Sequence, residues 1–407
     1  MGKLWTADRR RARPCSDKSA ATITLRAVRV LHLTSSFPRD GRDHVAPFLL
    51  DLAHAEQEAG LDVAVLAPHD AGLPVVDTIE GVEVQRFRYG PASMERLSYR
   101  GGLLGSSRRI GGVMLPAYLA SFSRAAEKAA REFKPDVIHA HWWLPAGWCA
   151  LRASRRLQIP LVVTIHGSDA HLLRYRPFRK LAGHVLHKAA LVATVSEDLQ
   201  RQIQEIDPRL PTAVMRLPVR AEVSRMPLPP DPPLRLIAAG RLSPEKGFDV
   251  LIEAMRIALD HGLDVRLDIV GSGPERRSLS TLAAPLGERV RLIPALPHAE
   301  LMRRLDDVHA LVAPSRREGL GLVALEAFAR GRPVVASRVG GLAETVVDGV
   351  DGFLVPPEDP TALAAALARL PIDMPAGEAL LRHSPIEVGR THLEAYASLV
   401  APMVQTR

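Results

Sequence analysis

Cysteine is scarce in this sequence of 407 residues, with only Cys15 and Cys149 present. Two thiols exclude a disulfide framework and are typical of a protein kept in a reducing compartment. The start of the chain contains arginines but no apolar stretch before a small-residue cleavage site, so it does not predict a secretory signal. The sequence therefore predicts a cytoplasmic protein.

Long hydrophobic runs and aromatic residues are also scarce. No apolar run reaches the roughly 18 residues that a membrane span needs, and aromatic residues make up 4% of the chain. Hydrophobic residues nevertheless amount to 47% and charged residues to 24%, as in ordinary globular proteins. A chain of this length predicts two domains, each able to bury its own core.

The net charge of +8 is concentrated at the start, where residues 1–26 hold seven Lys or Arg against two Asp. This segment shows neither helical nor strand periodicity, so we predict a disordered basic tail over 1–26. The remaining basic excess is mild. It suits nucleic acid, anionic lipid and phosphorylated substrates equally, and charge by itself therefore selects no partner.

After the tail, short apolar runs such as Val28–Thr34 and Leu161–His166 alternate with helical patterns. This alternation predicts an α/β fold with parallel sheets covered by helices on both faces. Six prolines within 216–235 interrupt it and predict a linker. We predict doubly wound domains over 27–215 and 234–384, a linker over 216–233 and a C-terminal helical segment over 385–407.

Ligands of doubly wound domains bind at the loops that follow the carboxyl ends of strands. In the loop 239–247, Arg241 and Lys246 are two cations that could neutralise a diphosphate, although two solvated surface cations are the alternative. The loop 268–274 contains Gly271 in a glycine turn. That signal is weak for a phosphate cradle and favours a structural turn beside a nucleotide.

The loop 314–326 gives a sharper signal. Gly319 and Gly321 allow close backbone approach to a ligand, and the helix that begins there would point free N–H groups at a diphosphate. Glu318 and Glu326 could both accept hydrogen bonds from hydroxyls of the same ligand. The alternative is a buried structural Glu326 and a Glu318 that serves only as a charge at the start of a helix. Adjacent glycines in the loop 338–344 are explained equally by exposed amides and by a simple turn.

The loops of the first half supply histidines and aromatic residues. His139, His141 and Trp142 follow one predicted strand, and His166 follows the next. The spacing of the first two histidines invites a metal site, but no cysteine or carboxylate cluster accompanies them with ligand spacing, so we predict no metal. His166 is better placed to touch a substrate, although a structural histidine is the alternative.

Taken together, these loops resemble the family 4 glycosyltransferases, which have the GT-B fold of two Rossmann-like domains facing a central cleft. The resemblance covers about residues 28 to 360, and its most specific element is the Glu-x7-Glu pair of Glu318 and Glu326. The segments that carry it are DVIHAHWWLPAG, VVTIHGSD, AAGRLSPEKGFDVLIEA, DIVGSGPE and PSRREGLGLVALEAFARGRPVVAS.

The resemblance implies a retaining transfer of a hexose or N-acetylhexosamine from a UDP or GDP donor to a glycan, lipid-linked or small-molecule acceptor, as in polysaccharide biosynthesis. It also implies that no metal or other cofactor is needed. A nucleotide-sugar-binding protein without turnover, and an epimerase or phosphorylase on the same fold, are the alternatives. A cleft that closes on the donor and a last helix, 385–399, that crosses back to the first domain are further implications.

The resemblance also implies roles for matching residues. Arg241 and Lys246 would hold the diphosphate, Glu326 the ribose, and Glu318 the donor sugar. His166 would lie beside that sugar, and the catalytic set would be His166, Arg241, Lys246 and Glu318. The other predicted donor-binding residues are Gly240, Gly271, Gly319, Leu320, Gly321 and Leu322, and the acceptor side would comprise Gly41, His141, Trp142 and His166.

Two segments depart from the family pattern, and both lie on the acceptor side. The loop 37–41 has one glycine where many members have a pair, and 216–219 lacks an asparagine-glycine turn. Basic stretches at 96–109 and 174–180 would suit contact with an anionic membrane on its inner face, a solvated helix face being the alternative. No nucleic-acid partner is predicted.

Overall fold

The computed structural model describes residues 26–404, with gaps at 42, 44, 92, 94, 96–97, 100–107, 220–222, 225–226, 231 and 373–377. The predicted basic tail, apart from Arg26, and most of the basic stretch 96–109 lie outside the described residues. Two parallel sheets organise the described chain, and the prediction of two doubly wound α/β units is confirmed.

The first sheet has eight strands in the order β3-β4-β2-β1-β5-β6-β7-β8, and only β3 is antiparallel to its neighbour. Its strands are β1 (Arg29–Leu33), β2 (Asp62–Pro68), β3 (Val76–Ile79), β4 (Val82–Phe87), β5 (Val137–His141), β6 (Leu161–Ile165), β7 (Leu191–Thr194) and β8 (Thr212–Val214). Its helices are α1 (Pro47–Glu58), α2 (Arg108–Phe133), α3 (Trp148–Leu157), α4 (Arg176–Leu186) and α5 (Glu197–Ile206). All five residues of β6 are buried, as expected of a parallel strand covered on both faces.

The second sheet has six parallel strands in the order β11-β10-β9-β12-β13-β14. Its strands are β9 (Leu234–Ala239), β10 (Val265–Val270), β11 (Val290–Ile293), β12 (Ala310–Ala313), β13 (Val334–Ser337) and β14 (Gly352–Val355). The helices of this half are α6 (Phe248–Asp260), α7 (Arg276–Ala283), α8 (His298–Asp306), α9 (Leu322–Ala329), α10 (Gly340–Thr345), α11 (Pro360–Leu367) and α12 (Glu378–Arg382), and α13 (Pro385–Val404) ends the described chain.

The edge hairpin β3–β4 was not anticipated from the sequence. Ile79 pairs with Val82 across a two-residue turn, in which Glu80 has φ 47° and Gly81 has φ 90°. Positive φ at both central residues is the type I′ geometry that fits the twist of a hairpin. The hairpin extends the first sheet beyond its parallel part.

Strand order reverses between β1 and β5 in the first sheet and between β9 and β12 in the second. Such a reversal opens a crevice at the carboxyl ends of the flanking strands, and ligands bind there. The loops that begin at Gly240 and Pro314 follow β9 and β12, so they lie at the reversal of the second sheet. The topology thus gathers the predicted donor loops at one edge.

The last helix, α13, leaves the second half and packs against α1 of the first. A Cβ atom added at Gly389 of α13 would lie 2.2 Å from the carbonyl oxygen of Ala55 in α1. The two helix backbones are therefore in direct contact, and only glycine fits at this position.

We expect Gly389→Ala to lower the thermal midpoint. Overpacking costs about 1–3 kcal/mol and exceeds the gain of about 1 kcal/mol in helix propensity. Gly183→Ala in α4 is the matched control, since its Cβ would meet only a His187 ring carbon at 3.8 Å. Thermal unfolding followed by circular dichroism should show the control unchanged or stabilised. Equal midpoints for the two variants would contradict close helix contact at Gly389.

Candidate functional site

A cleft of about 310 Å³ lies between the two halves. Pro47 and Phe48, at the start of α1, form part of one wall together with Gly41. The start of α8 and the first turns of α9 form the opposite wall through His298, Leu322 and Glu326. The cleft is therefore bounded by both halves and by the loops at the carboxyl ends of their strands.

Lys246 and Glu318, predicted to hold the donor diphosphate and the donor sugar, contact each other. The ammonium of Lys246 donates to Oε2 of Glu318 at 2.6 Å, and the Ser315 hydroxyl donates to the same oxygen at 3.1 Å. Both charged side chains are largely shielded, with 24% and 14% exposure. The pair is formed by the loops after β9 and β12, so the strand reversal brings together two residues that lie 72 positions apart.

The other predicted residues of the first two donor loops differ in their surroundings. Arg241 is exposed, whereas Gly240 and Gly271 bring their backbones into contact. A Cβ at Gly271 would lie 1.9 Å from the carbonyl oxygen of Gly240. Gly271 is thus required by packing between the loops after β9 and β10, which agrees with a structural turn.

Glu326 lies on α9 and is held by His298, a residue that sequence reasoning did not single out. Nε2 of His298 is 3.1 Å from Oε1 of Glu326. This hydrogen bond, together with the carboxylate charge, raises the pKa of His298 above its ordinary value of 6.5. Its position directly after Pro297, at the start of α8, was the only sequence signal available.

The loop 318–321 forms the junction between the halves. A Cβ at Gly319 would lie 2.2 Å from the carbonyl oxygen of His166, so the two loops meet backbone to backbone. Gly340 and Gly341 support this loop from behind, because their Cβ positions fall on the backbones of Glu318 and Leu320. The adjacent glycines of the loop 338–344 are therefore explained by packing.

His166 stands at the carboxyl end of β6 with Trp142 beside it. The two ring centroids are 4.7 Å apart, and the ring of Phe48 lies 5.4 Å from His166 on another side. Burial lowers the pKa of His166 to about 3, so the ring is neutral at physiological pH. His141, predicted on the acceptor side, is instead buried behind His166, with its Nδ1 3.1 Å from Nε2 of His166.

Asp169 fixes the loop that carries His166. Its Oδ1 accepts the backbone N–H groups of His166 at 3.0 Å and Gly167 at 3.2 Å, and Oδ2 accepts that of Trp143 at 3.3 Å. Burial nevertheless raises the pKa of Asp169 to about 6. The loop is thus held by the Asp169 carboxylate, to which the sequence motif VVTIHGSD by itself assigns no role.

The junction is closed by further contacts between the halves. Glu344 of α10 accepts the backbone N–H groups of Glu197 at 3.0 Å and Asp198 at 2.5 Å, at the start of α5. A carboxylate is favourable there because the first N–H groups of a helix lack partners and carry partial positive charge. Arg317 also contacts the ring of His171.

Three buried histidines, His32, His139 and His141, place ligand nitrogens within 4.8 Å of one another and could hold a metal ion by distance. Every one of their ring nitrogens, however, already has a protein partner. These partners are Glu56 and His141 for His32, Tyr396 and Thr164 for His139, and His32 and His166 for His141. The arrangement favours a hydrogen-bonded network, and the prediction of no metal stays a prediction.

We expect Glu326→Gln to lower the pKa of His298 toward 6.5, because the hydrogen-bonded carboxylate is what raises it. The folded-state pKa is raised, so the stability from this pair is present below about 6.5 and is lost as pH rises through the folded-state value. NMR titration of the His298 ring would measure the shift. Glu318→Gln is the control, since Glu318 pairs with Lys246. An unchanged titration in Glu326→Gln would contradict the pairing.

No helix in the described part of the chain combines the length and the apolar character needed to cross a bilayer.

Two family models match the chain. Residues 45–218 match a glycosyl transferase 4-like domain, and residues 233–373 match the glycosyl transferases of group 1. A D-inositol 3-phosphate glycosyltransferase of Xylanimonas cellulosilytica is 33% identical over 367 residues, covering 80% of this chain and 82% of the relative. A relative of the same name from Catenulispora acidiphila is 30% identical and covers 84% and 85%.

Solved structures share the fold. Sucrose-phosphate synthase of Thermosynechococcus elongatus matches with a TM-score of 0.68 at 22% identity, over 93% of this chain and 98% of that one. The HepE protein of Anabaena, solved with UDP and glucose, matches with a TM-score of 0.63 at 20% identity, over 93% and 100%. The predicted GT-B fold is confirmed.

Proposed function

The chain belongs to the family 4 glycosyltransferases, and on that premise we propose that it transfers a hexose or N-acetylhexosamine from UDP or GDP with retention of configuration. One observation carries the proposal. Lys246 and Glu318 meet at the strand reversal of the second sheet, and the same loop abuts His166 of the first half through Gly319. The second half thus supplies the cation Lys246 and the carboxylate Glu318, and the first half supplies His166, which lies far from both in the sequence.

The donor side would work by charge. Lys246 and Arg241 would neutralise the departing diphosphate, and the amide end of α9 would add to this field. In the structure, Lys246 is already paired with Glu318. An entering donor would therefore draw the ammonium to its phosphate and release Glu318 to accept hydrogen bonds from the sugar. No divalent ion is required in this scheme, because Lys246 and Arg241 would neutralise the diphosphate instead.

Glu326 would accept the ribose hydroxyls. It lies on the cleft wall beside His298, which orients the carboxylate through one oxygen and leaves the other for the ligand. Retention would follow if the departing phosphate took the proton of the acceptor hydroxyl on the same face. The HepE structures with UDP-glucose and with UDP support a uridine donor by analogy of fold.

The acceptor would enter beside Gly41 and Phe48, on the wall of the first half. Relatives are named for D-inositol 3-phosphate, which makes this compound one acceptor to test. Glycan, lipid-linked and other small-molecule acceptors stay within the proposal.

We expect a donor panel to identify the substrate. UDP-glucose, UDP-N-acetylglucosamine, UDP-galactose, GDP-mannose and ADP-glucose would be scored by thermal shift and slow donor hydrolysis, with and without EDTA. Loss of a hydrogen bond to a charged group costs about 1.5–3 kcal/mol, so Glu326→Ala should weaken donor binding roughly tenfold to a hundredfold. Lys246→Ala should lower kcat by about 10²–10³.

Two surface changes are the controls for these variants. Glu300→Ala replaces an exposed carboxylate of α8, and Lys180→Ala replaces an exposed ammonium of α4. Both should leave binding and hydrolysis unchanged. Binding without release of nucleotide would favour a carrier of nucleotide sugars, and no binding by any donor would contradict the donor site. The anomer of the product, read by NMR once an acceptor is found, decides retention.

We also propose that the start of α4 contacts an anionic membrane surface. Every residue from Arg174 to Lys180 is exposed, including Tyr175 at 53% and Phe178 at 39%. Basic residues beside exposed aromatic rings are typical of interfacial binding. We expect sedimentation with phosphatidylglycerol vesicles that weakens in Phe178→Ser and with added salt. Equal sedimentation with neutral vesicles would contradict this proposal.

A further inference from the structure

A series of hydrogen-bonded side chains connects Glu56 to His166 through the first half. Nε2 of His32 is 2.6 Å from Oε2 of Glu56, and Nδ1 of His32 is 2.9 Å from Nε2 of His141. Nδ1 of His141 is in turn 3.1 Å from Nε2 of His166. We name Glu56, His32, His141 and His166 the histidine chain. Its rings lie on or directly after the adjacent strands β1, β5 and β6.

Glu56 is fully buried and is the fixed end of the histidine chain. Burial alone would raise its pKa, but the hydrogen bonds and positive charge of its histidine partners outweigh burial and hold the pKa below its ordinary value. An ionised carboxylate can only accept hydrogen bonds. Glu56 accepts from His32 through one oxygen and from His392 and the Tyr396 hydroxyl through the other.

His392 supplies the balancing charge. Its Nδ1 lies 2.8 Å from Oε1 of Glu56, and its Nε2 lies 3.1 Å from the backbone carbonyl oxygen of Arg216. Both partners are acceptors, so both nitrogens donate and the ring is an imidazolium. One cation neutralises one carboxylate, and a second buried cation beside it would be repelled. His32 is therefore neutral and carries its proton on Nε2.

The proton positions of the remaining rings follow one from another. Nδ1 of neutral His32 is an acceptor, so Nε2 of His141 donates to it. Burial lowers the pKa of His141 well below its ordinary value, so this ring is neutral and its Nδ1 is an acceptor. Nε2 of His166 must then donate to His141. His166 is neutral as well, and its Nδ1 keeps a lone pair.

The outer end of the histidine chain is the end near the cleft. His166 is partly exposed, whereas His32 and His141 are 4% and 1% exposed. Within the described residues, Nδ1 of His166 forms no hydrogen bond, while its Nε2 is bound to His141. A substrate hydroxyl that donates to this lone pair is held in a fixed orientation, because the acceptor nitrogen is already in place before the substrate binds.

We propose that Glu56 is a positioning residue of the glycosyl transfer, which acts through His32 and His141 to leave a lone pair on Nδ1 of His166 for a substrate hydroxyl. The inference rests on the proposed function for its catalytic consequence. The proton positions themselves do not depend on it, because they are set in the protein without any ligand.

Glu56→Gln should reverse the donor and acceptor roles at each hydrogen bond of the histidine chain. The amide oxygen would face the two donors His392 and Tyr396, and the amide NH2 would turn toward His32. His32 would then accept at Nε2 and carry its proton on Nδ1, and the reversal would pass through His141. His166 would finish with a proton on Nδ1 and no lone pair for a hydroxyl.

The tautomers would be read by NMR on the full chain labelled with 15N-histidine, because protonated and unprotonated ring nitrogens have separate shifts. His166→Gln assigns the ring by loss of its signals. We expect the His166 ring to carry its proton on Nε2 in the wild type and on Nδ1 in Glu56→Gln. Glu95→Gln is the matched control, since Glu95 is a fully buried carboxylate bound to Nδ1 of His69 at 2.5 Å and not to the histidine chain. It should leave His166 unchanged.

Kinetics would test the consequence with the donor that the panel identifies. Glu56→Gln should lower kcat for donor hydrolysis about tenfold or more, as for loss of one good hydrogen bond, with little change in KM. Glu56→Asp keeps the charge and should restore both the tautomer and most of the rate. An equal loss in Glu56→Asp, with the wild-type tautomer retained, would overturn the positioning role.

Three further outcomes decide against the proposal. Nδ1–H on His166 in the wild type overturns it, and so does an unchanged tautomer in folded Glu56→Gln. A stoichiometric metal ion in the purified wild type also overturns it, because a coordinated nitrogen cannot donate. If Glu56→Gln does not fold, the wild-type tautomer alone decides. If no donor binds, the proposed function fails while the tautomer result still stands.

Discussion

The buried carboxylate of Glu56 is the interaction on which the first half and the end of the chain both depend. A charge without water must be paired and hydrogen-bonded to be tolerated. Glu56 meets this requirement with His32 of β1 and with His392 and Tyr396 of α13. The last helix therefore completes the coordination of a group buried under the first sheet, and the contact at Gly389 lets the two helices approach closely enough to do so.

The junction between the halves depends on direct contacts between backbones, at positions where glycine leaves no side chain in the way. Gly319 meets the carbonyl of His166, and Gly340 and Gly341 hold the same loop from the other side. A carboxylate, Glu344, then caps α5 across the junction. Loops from two separate sheets can be held in register only if they approach this closely, and the glycines make that approach sterically possible.

Much of this arrangement is legible in the sequence, and some of it is not. The motif loops identified the family, the parallel sheets and the residues Lys246, Glu318 and Glu326, because strand ends in doubly wound folds place their loops together. The sequence assigns no role to His298 or Asp169, because the partner of His298 lies 28 residues away in the chain and Asp169 binds backbone N–H groups, which no residue type reports. The hairpin at 76–87 is indicated in the sequence only by Glu80-Gly81, a two-residue turn signal that is followed by the alternating Val82 and Val84.

The sequence by itself determined the fold class, the family and the set of charged residues at the strand ends. These features can be predicted from sequence because hydrophobic periodicity and the residue types of a loop are local properties, set within a few residues of each site. The tertiary structure alone decided that Lys246 pairs with Glu318 and that His141 lies buried behind His166. It also decided that rings from three strands form one hydrogen-bonded series that ends at Glu56. Hydrogen-bond direction and burial depend on partners more than 300 residues apart, such as Glu56 and His392, and no local pattern encodes them.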